Sequence, residues 1–219
     1  MKLTTIGFDA DDTLWHNERF FRLTQARFTA LLAEHAERRN VGIYGFGVKG
    51  FTLSMIETAI EVSGGAVPGA VIAEILAAGR EMLAHPIELL PEARAAIEAL
   101  AGRYRLVLVT KGDLIDQERK LAQSGLGDLF DAVEIVSEKR PATYTEVFAR
   151  HGTGADAAMM VGNSLKSDVL PMIAAGGWGV HVPHEMTWAL EEAEVPQGHP
   201  RFAALPSLAG LHELLERIG

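Results

Sequence analysis

Leu3-Thr4-Thr5-Ile6-Gly7-Phe8-Asp9-Ala10-Asp11-Asp12-Thr13-Leu14 begins as an apolar run and ends in carboxylates. A short, nearly unbroken apolar run closed by polar residues is the pattern of a strand buried on both faces of a parallel sheet. Residues two apart in an extended chain project to the same side, so Asp9 and Asp11 share a face while Ala10 and Asp12 point away. Two unpaired carboxylates held together at a buried strand end are costly, so a cation or a shared proton is expected beside them. Taken alone, the segment also fits a solvated turn in which Asp12 and Thr13 cap a following helix. The rest of the chain decides between these readings.

From Arg105 to Val182 short β-rich runs alternate with helical stretches, the pattern of a parallel sheet covered by helices. Arg105–Thr110, Ala132–Val136, Ala157–Val161 and Trp178–Val182 read as strands. Leu114–Ser124, Ala142–His151 and Leu165–Ala175 read as helices, with Gly125, Gly152 and Gly176 where helix ends favour glycine. The stretch from Trp15 to about His85 has helices and no comparable strand. Phe20, Leu23, Phe28, Leu31, Leu32 and His35 form one helical pattern behind Asn17, a candidate cap. Phe51 to Ile60 gives a second helix, ended by Gly64-Gly65, and Val71 to Leu83 a third, closed by His85-Pro86. This block is expected to form a small second domain over the strand ends. Residues 1–15 and 86–219 are then the core and 16–85 an inserted helical cap. Pro91 opens a helix, Glu92 to Leu100, that returns to the sheet, and Pro206 to Ile218 reads as an amphipathic helix on the core.

With 219 residues, 48% of them hydrophobic, the chain can bury a full core. A formal net charge of −9 argues against a nucleic-acid partner, because binding an extended polyanion rests on Lys and Arg neutralising phosphates. With no cysteine there is no disulfide framework, thiolate nucleophile or Cys-type zinc site. Asp9 interrupts the first apolar run and no later run reaches membrane-spanning length, so a cytoplasmic protein without a membrane partner is expected. Nothing in the sequence fixes an oligomeric state.

In an open parallel sheet, ligands bind beyond the carboxyl ends of the strands, and that is where the polar residues fall. The first strand ends at Asp9, the second at Thr110-Lys111-Gly112-Asp113, and the Ala157 strand at Gly162-Asn163-Ser164, with Asp168 beyond; Ser137-Glu138-Lys139-Arg140-Pro141 follows the Ala132 strand. Phosphoryl transfer needs this inventory. A carboxylate about 4 Å from a phosphate dianion meets roughly 8 kcal/mol of repulsion at an effective dielectric near 20, which a magnesium ion and a lysine would offset. Magnesium prefers hard oxygen ligands, which Asp9, Asn163 and Asp168 offer. Lys139 suits charge neutralisation, Thr110 a hydrogen bond to a phosphate oxygen, and Asp11 is left for proton transfer.

The order Asp9-x-Asp11-x-Thr13, Thr110 at a strand end, Lys139 with Pro141, then Gly162-Asn163-(x)4-Asp168 resembles the haloacid-dehalogenase-like hydrolases over essentially the whole chain. The resemblance implies an α/β fold: a Rossmann-like parallel-sheet core with helices on both faces, plus a small all-helical cap. It implies that Asp9 is a nucleophile forming an aspartyl-phosphate and Asp11 the general acid and base. Thr110 and Lys139 match phosphate-binding and charge-stabilising positions. Magnesium would be held by Asp9, the backbone carbonyl of Asp11, Asn163 and Asp168. Members that cleave carbon–halogen bonds typically lack the second acid, so Asp11 favours a small phosphorylated substrate. Asn163 departs from the family's usual aspartate and removes a charge from the metal site. A phosphomutase, a 2-haloacid dehalogenase-type hydrolase and a non-catalytic binding or regulatory member are the alternatives.

Other features carry less. Gly45-Phe46-Gly47-Val48-Lys49-Gly50 fits GxGxxG but lies between helices of the inserted block and not in a βαβ unit, so it reads as a flexible lid loop, with a substrate-facing Lys49 or Tyr44 as the sharper alternative. His181, His184 and His199 read as loop residues and not as zinc ligands. Trp15 and His16 are balanced between substrate contact and packing. Lys111 and Arg140 adjoin site residues and are candidates for phosphate binding, with solvated charges as the equal alternative; Lys111 is placed among the substrate-binding residues.

Overall fold

In the computed structural model, which describes residues 2–18, 39–185 and 191–218, the strands are β1 (Thr5–Phe8), β2 (Arg105–Lys111), β3 (Ala132–Val136), β4 (Ala158–Gly162), β5 (Trp178–His181) and β6 (Phe202–Ala204). The helices are α1 (Val48–Val62), α2 (Gly69–Ala84), α3 (Ala93–Leu100), α4 (Leu114–Ser124), α5 (Pro141–His151), α6 (Leu170–Ala174) and α7 (Leu211–Ile218). The strands form one six-stranded sheet in the order β3-β2-β1-β4-β5-β6, every pair parallel. The chain belongs to the α/β class, with helices on both faces of the sheet.

All of β1 is buried, as a strand covered on both faces requires. Gly7 sits where a Cβ would lie 2.8 Å from the Phe148 ring, so a larger residue would push β1 and α5 apart. Alternation within the strands builds a core on each face. Ile6, Phe8, Leu106, Leu108, Met159 and Val161 pack with Ile97 and Leu100 of α3 and with Leu211, Leu214 and Leu215 of α7. Val107, Val109 and Met160 pack on the other side with Tyr144, Val147 and Phe148 of α5 and with Met172 of α6. Each such large side chain contributes on the order of 1.5–3 kcal/mol by leaving water. A third cluster, Val48, Phe51, Met55, Ala59, Ile75 and Met82, joins α1 to α2.

The topology positions the chemistry. From β1 the chain moves out to β2 and β3 on one side, then crosses to β4, β5 and β6 on the other. Neighbouring loops diverge at such a reversal and open a crevice beyond the strand ends. The residues leaving the two strands that flank it are Asp9 and Asn163, and the Asp9 amide donates to Val161 O at 2.9 Å.

Several elements differ from the sequence reading. A single helix was expected over Leu165–Ala175; instead a π-turn, Leu165–Val169, precedes α6. The Ser164 hydroxyl accepts from the Ser167 amide, and both the Asp168 and Val169 amides reach Ser164 O, which widens the turn and swings Asp168 back toward the crevice. β6 was not foreseen, because three residues behind a Pro- and Gly-rich stretch carry no periodicity. Asn17 Oδ1 accepts from Lys120 at 2.8 Å, and Asp12 takes the backbone amides of Asn17 and Glu18; the amides that Asn17 is expected to cap lie outside the described residues. The helix read from Phe20 to His35 lies outside the described residues. Among the described residues, no helix is long and apolar enough to cross a membrane.

Candidate active site

Asp9 leaves β1 into a buried cluster of charges. Lys139 Nζ donates to Asp9 Oδ1 and, at 2.8 Å, to Asp168 Oδ1, so one ammonium joins two carboxylates from different loops. Thr13 Oγ1 donates to Asp9 Oδ2 at 3.1 Å, and the Ser164 amide to Asp168 Oδ2 at 2.9 Å. Burial raises the Asp9 carboxyl to about 7; the Lys139 charge opposes that rise and the Asp168 charge adds to it. Burial works against the Lys139 ammonium, yet Asp168 and Asp9 hold its pKa above the ordinary lysine value. Gly162 makes room for the cluster, since a Cβ there would fall 2.2 Å from Asp168 Oδ2. Gly162→Ala is therefore expected to displace Asp168 and lower turnover by at least about tenfold; unchanged turnover in a folded variant would show that the position of Asp168 is immaterial.

Asp11 has a separate set of partners. Its carboxylate accepts from Trp15 Nε1 at 2.7 Å, Gln117 Nε2 at 2.8 Å and Lys120 Nζ at 3.0 Å. The cation expected beside the paired acids is thus two lysines, Lys139 for Asp9 and Lys120 for Asp11, brought from loops and helices far along the chain. Gln117 Nε2 also donates to Lys111 O, which fixes the amide orientation and leaves its buried Oε1 as an acceptor without a partner. Asp12, on the far side of the turn with φ 58°, is buried and 3.6 Å from His184 Nδ1. Burial raises its pKa to about 6.

These groups line one cleft of about 150 Å³ together with Thr110, Lys111, Asn163, Ser164, Ser167 and Glu191. Thr110 is buried at the end of β2. Lys111 Nζ donates to Glu191 Oε1 at 2.6 Å and Ser167 Oγ at 2.8 Å, and lies 4.0 Å from the centre of the Phe46 ring. Of the glycine loop, Gly45, Phe46 and Gly47 line the cleft. It is Phe46 that faces the site: Lys49 pairs with Asp113 at 2.8 Å and Tyr44 is largely exposed. The glycines follow from packing, because Gly45 and Gly47 have φ of 75° and 97° and a Cβ on Gly50 would lie 2.5 Å from Gly45 O. Arg140 is exposed and outside the cleft.

The carboxamide of Asn163 is the last component. One of its outer atoms lies 3.2 Å from each of Asp9 Oδ2, Asp11 O and Thr13 Oγ1. As an NH₂ group that atom donates to all three; as an oxygen it accepts from Thr13 and faces two further oxygens.

Residues 3–176 match the profile of the haloacid dehalogenase-like hydrolases. The chain belongs to this family. No curated protein sequence matches it. Among solved structures it is similar to a haloacid dehalogenase-like family hydrolase from Xanthomonas campestris, at 41% identity and a TM-score of 0.87, covering 99% of this chain and 91% of that one. It is also similar in fold to the putative HAD-hydrolase YfnB from Bacillus subtilis bound to magnesium, at 19% identity and a TM-score of 0.70, over 98% and 99% of the two chains. An L-2-haloacid dehalogenase from Xanthobacter autotrophicus with chloropropionic acid covalently bound shares 18% identity at a TM-score of 0.70, over 99% and 100%.

Haloacid dehalogenase-like hydrolases generally use Mg²⁺, and the donor set fits it. Asp9 Oδ2 and Asp11 O, both hard donors, each lie 3.2 Å from one outer atom of the Asn163 carboxamide, which can turn its oxygen toward them, and oxygens around a magnesium-sized ion stand roughly 3 Å apart. Asp168 is set back from them, with its oxygens on Lys139 and the Ser164 amide. Among the described residues, no three His, Cys, Asp or Glu side chains gather as a metal cluster. His181 bonds Asn163 O, His184 lies against His16, and His199 accepts from the Arg201 amide. Trp15 is fully buried and touches Asp11, and His16 lies outside the cleft. Lys120, Gln117 and Glu191 were not singled out from sequence. The first two carry a signal only in hindsight, as positions three apart on the face of α4 toward Asp11; Glu191 carries none.

Proposed function

We propose that the chain is a magnesium-dependent phosphatase of small phosphorylated metabolites, acting in the cytoplasm through a phospho-Asp9 intermediate. One observation carries the reading: a second carboxylate, Asp11, lines the same cleft as Asp9 and is held there by three donors of its own. A halide leaves without a proton, whereas an alkoxide needs one, so a placed second acid has work in ester cleavage that it lacks in dehalogenation. In this mechanism an Asp9 oxygen attacks phosphorus and the ester bond breaks as Asp11 protonates the departing oxygen. Asp11 then takes a proton from water, which attacks the acyl phosphate and frees Asp9. Lys139 stabilises the negative charge on Asp9 and the transferring group throughout, and Thr110 offers a hydroxyl to a phosphate oxygen. Asp9, Asp11 O and Asn163, with Asp168 behind, would hold a magnesium ion, which would supply positive charge between the two anions. Residues 16–85 act as the cap that closes the cleft, with the Gly45–Gly47 loop among the parts that line it. The test is phosphate release from a panel of phosphomonoesters with and without Mg²⁺; release of halide from 2-haloacids in place of phosphate would instead favour the dehalogenase reading.

Asn163 sets how tightly the ion is held. With its NH₂ turned to Asp9 and Asp11 O, the carboxamide satisfies those oxygens when no cation does, and the ion competes with that arrangement. Asn163→Asp is expected to bind Mg²⁺ about tenfold or more tightly by calorimetry, and to melt lower than the parent in chelator, because a further carboxylate then stands beside Asp9. Equal affinity in the two proteins would mean that this side chain does not meet the ion.

A further inference from the structure

The cleft holds more acid than the reaction uses. Lys139 is matched by Asp9 and Asp168 and Lys120 by Asp11, all of them groups the proposed chemistry needs in place. Lys111 is matched by Glu191, which belongs to none of the strand ends and comes from the stretch between β5 and β6. Its carboxylate sits among donors mounted on the core. Lys111 Nζ meets Oε1 at 2.6 Å, Ser164 Oγ donates to Oε2 at 2.5 Å, and Ser167 Oγ also donates to Oε2. Burial raises the Glu191 pKa, but Lys111 and the hydroxyls outweigh it and hold the carboxyl below the usual range. The same ammonium lies over the Phe46 ring, 4.0 Å from its centre, a cation–π contact that adds to its fixed position.

We propose that Lys111, Ser164 and Ser167 form a carboxylate-binding subsite next to the phosphate, occupied in this structure by Glu191, and that the preferred substrates are phosphomonoesters carrying a carboxylate that takes its place. This rests on the phosphatase reading. The subsite adjoins the reacting groups through the chain itself: Lys111 follows Thr110, and Ser164 follows Asn163. The exchange swaps one carboxylate for another on the same donors and releases Glu191 to water. Among the described residues, Glu191 is the one carboxylate that both lines the cleft and pairs with Lys111, Lys120 or Lys139 without being needed by the proposed chemistry. A cleft of about 150 Å³ accommodates a phosphoryl group and a few carbons.

Phosphoglycerate and glycerol phosphate differ in carrying a carboxylate or a hydroxymethyl group, and they serve as the test pair with Mg²⁺ present. The wild-type enzyme is expected to favour phosphoglycerate in kcat/KM. Glu191→Gln should lower KM for phosphoglycerate about tenfold and move that for glycerol phosphate by less than about threefold. Lys111→Met should abolish the preference, which keeps the idea testable if the Glu191 variant folds poorly. Equal use of both esters by the wild type, or parallel KM changes in Glu191→Gln, would overturn the subsite. Hydrolysis of p-nitrophenyl phosphate but of neither test ester would also overturn it and leave the phosphatase reading standing. Failure on all three esters would end both.

Discussion

Asp9→Asn is expected to abolish phosphoester turnover, with a loss on the order of 10⁴-fold or more, in a protein that still folds. The asparagine keeps the size of the side chain and an oxygen for Lys139, so the buried network loses one charge but no packing. The loss therefore reports on nucleophilicity. Release of p-nitrophenol from its phosphate ester in Mg²⁺, with a thermal melt as control, measures it. A folded variant retaining a tenth of the parent activity would mean that Asp9 is not the attacking group.

Lys139→Met should be the most damaging substitution for stability. Its side chain and that of Asp168 are each 1% exposed, so removing the ammonium strands two buried carboxylates without their shared partner. Breaking a buried ion pair on one side costs about 3–5 kcal/mol, whereas an exposed pair is worth about 1 kcal/mol or less. Urea unfolding near neutral pH should show a loss in the larger range. Asp9, already raised to about 7 by burial, would rise further without Lys139 and carry a proton at neutral pH. Turnover should fall with stability, and should stay low at temperatures where the variant remains folded. A variant as stable as the parent would contradict the assignment of Lys139 as the charge that keeps these acids buried.

Parts of the sequence spoke through local signals and parts did not. β1 was legible because a strand buried on both faces is apolar without alternation. Helix Leu114–Ser124 showed its stop in Gly125, left-handed at φ 64°, and the structure adds its cap, Asp113, which accepts from the Asp116 amide. The π-turn was not legible, because it rests on the Val169 amide reaching Ser164 O five residues back, which no spacing of apolar residues announces. Asp12 was read as pointing away; it turns back under the loop to hold two amides, which its left-handed backbone permits. In the site, Asp9, Asp11, Thr110, Lys111, Lys139, Asn163 and Asp168 could be named because each sits at or just past a strand end. Lys120, Gln117 and Glu191 are brought to the cleft by contacts spanning much of the chain, which no short-range pattern encodes.

The central claim is that the phosphoryl group rests on Asp9 before water takes it. Mixing the protein with excess p-nitrophenyl phosphate and Mg²⁺, quenching in acid within the first turnover and mapping the chain by mass spectrometry tests this directly. The expected result is one phosphoryl group on the peptide that contains Asp9, absent from Asp9→Asn and lost on incubation at neutral pH. Phosphate released at full rate with no phosphorylated peptide, or with the label on another residue, would contradict it.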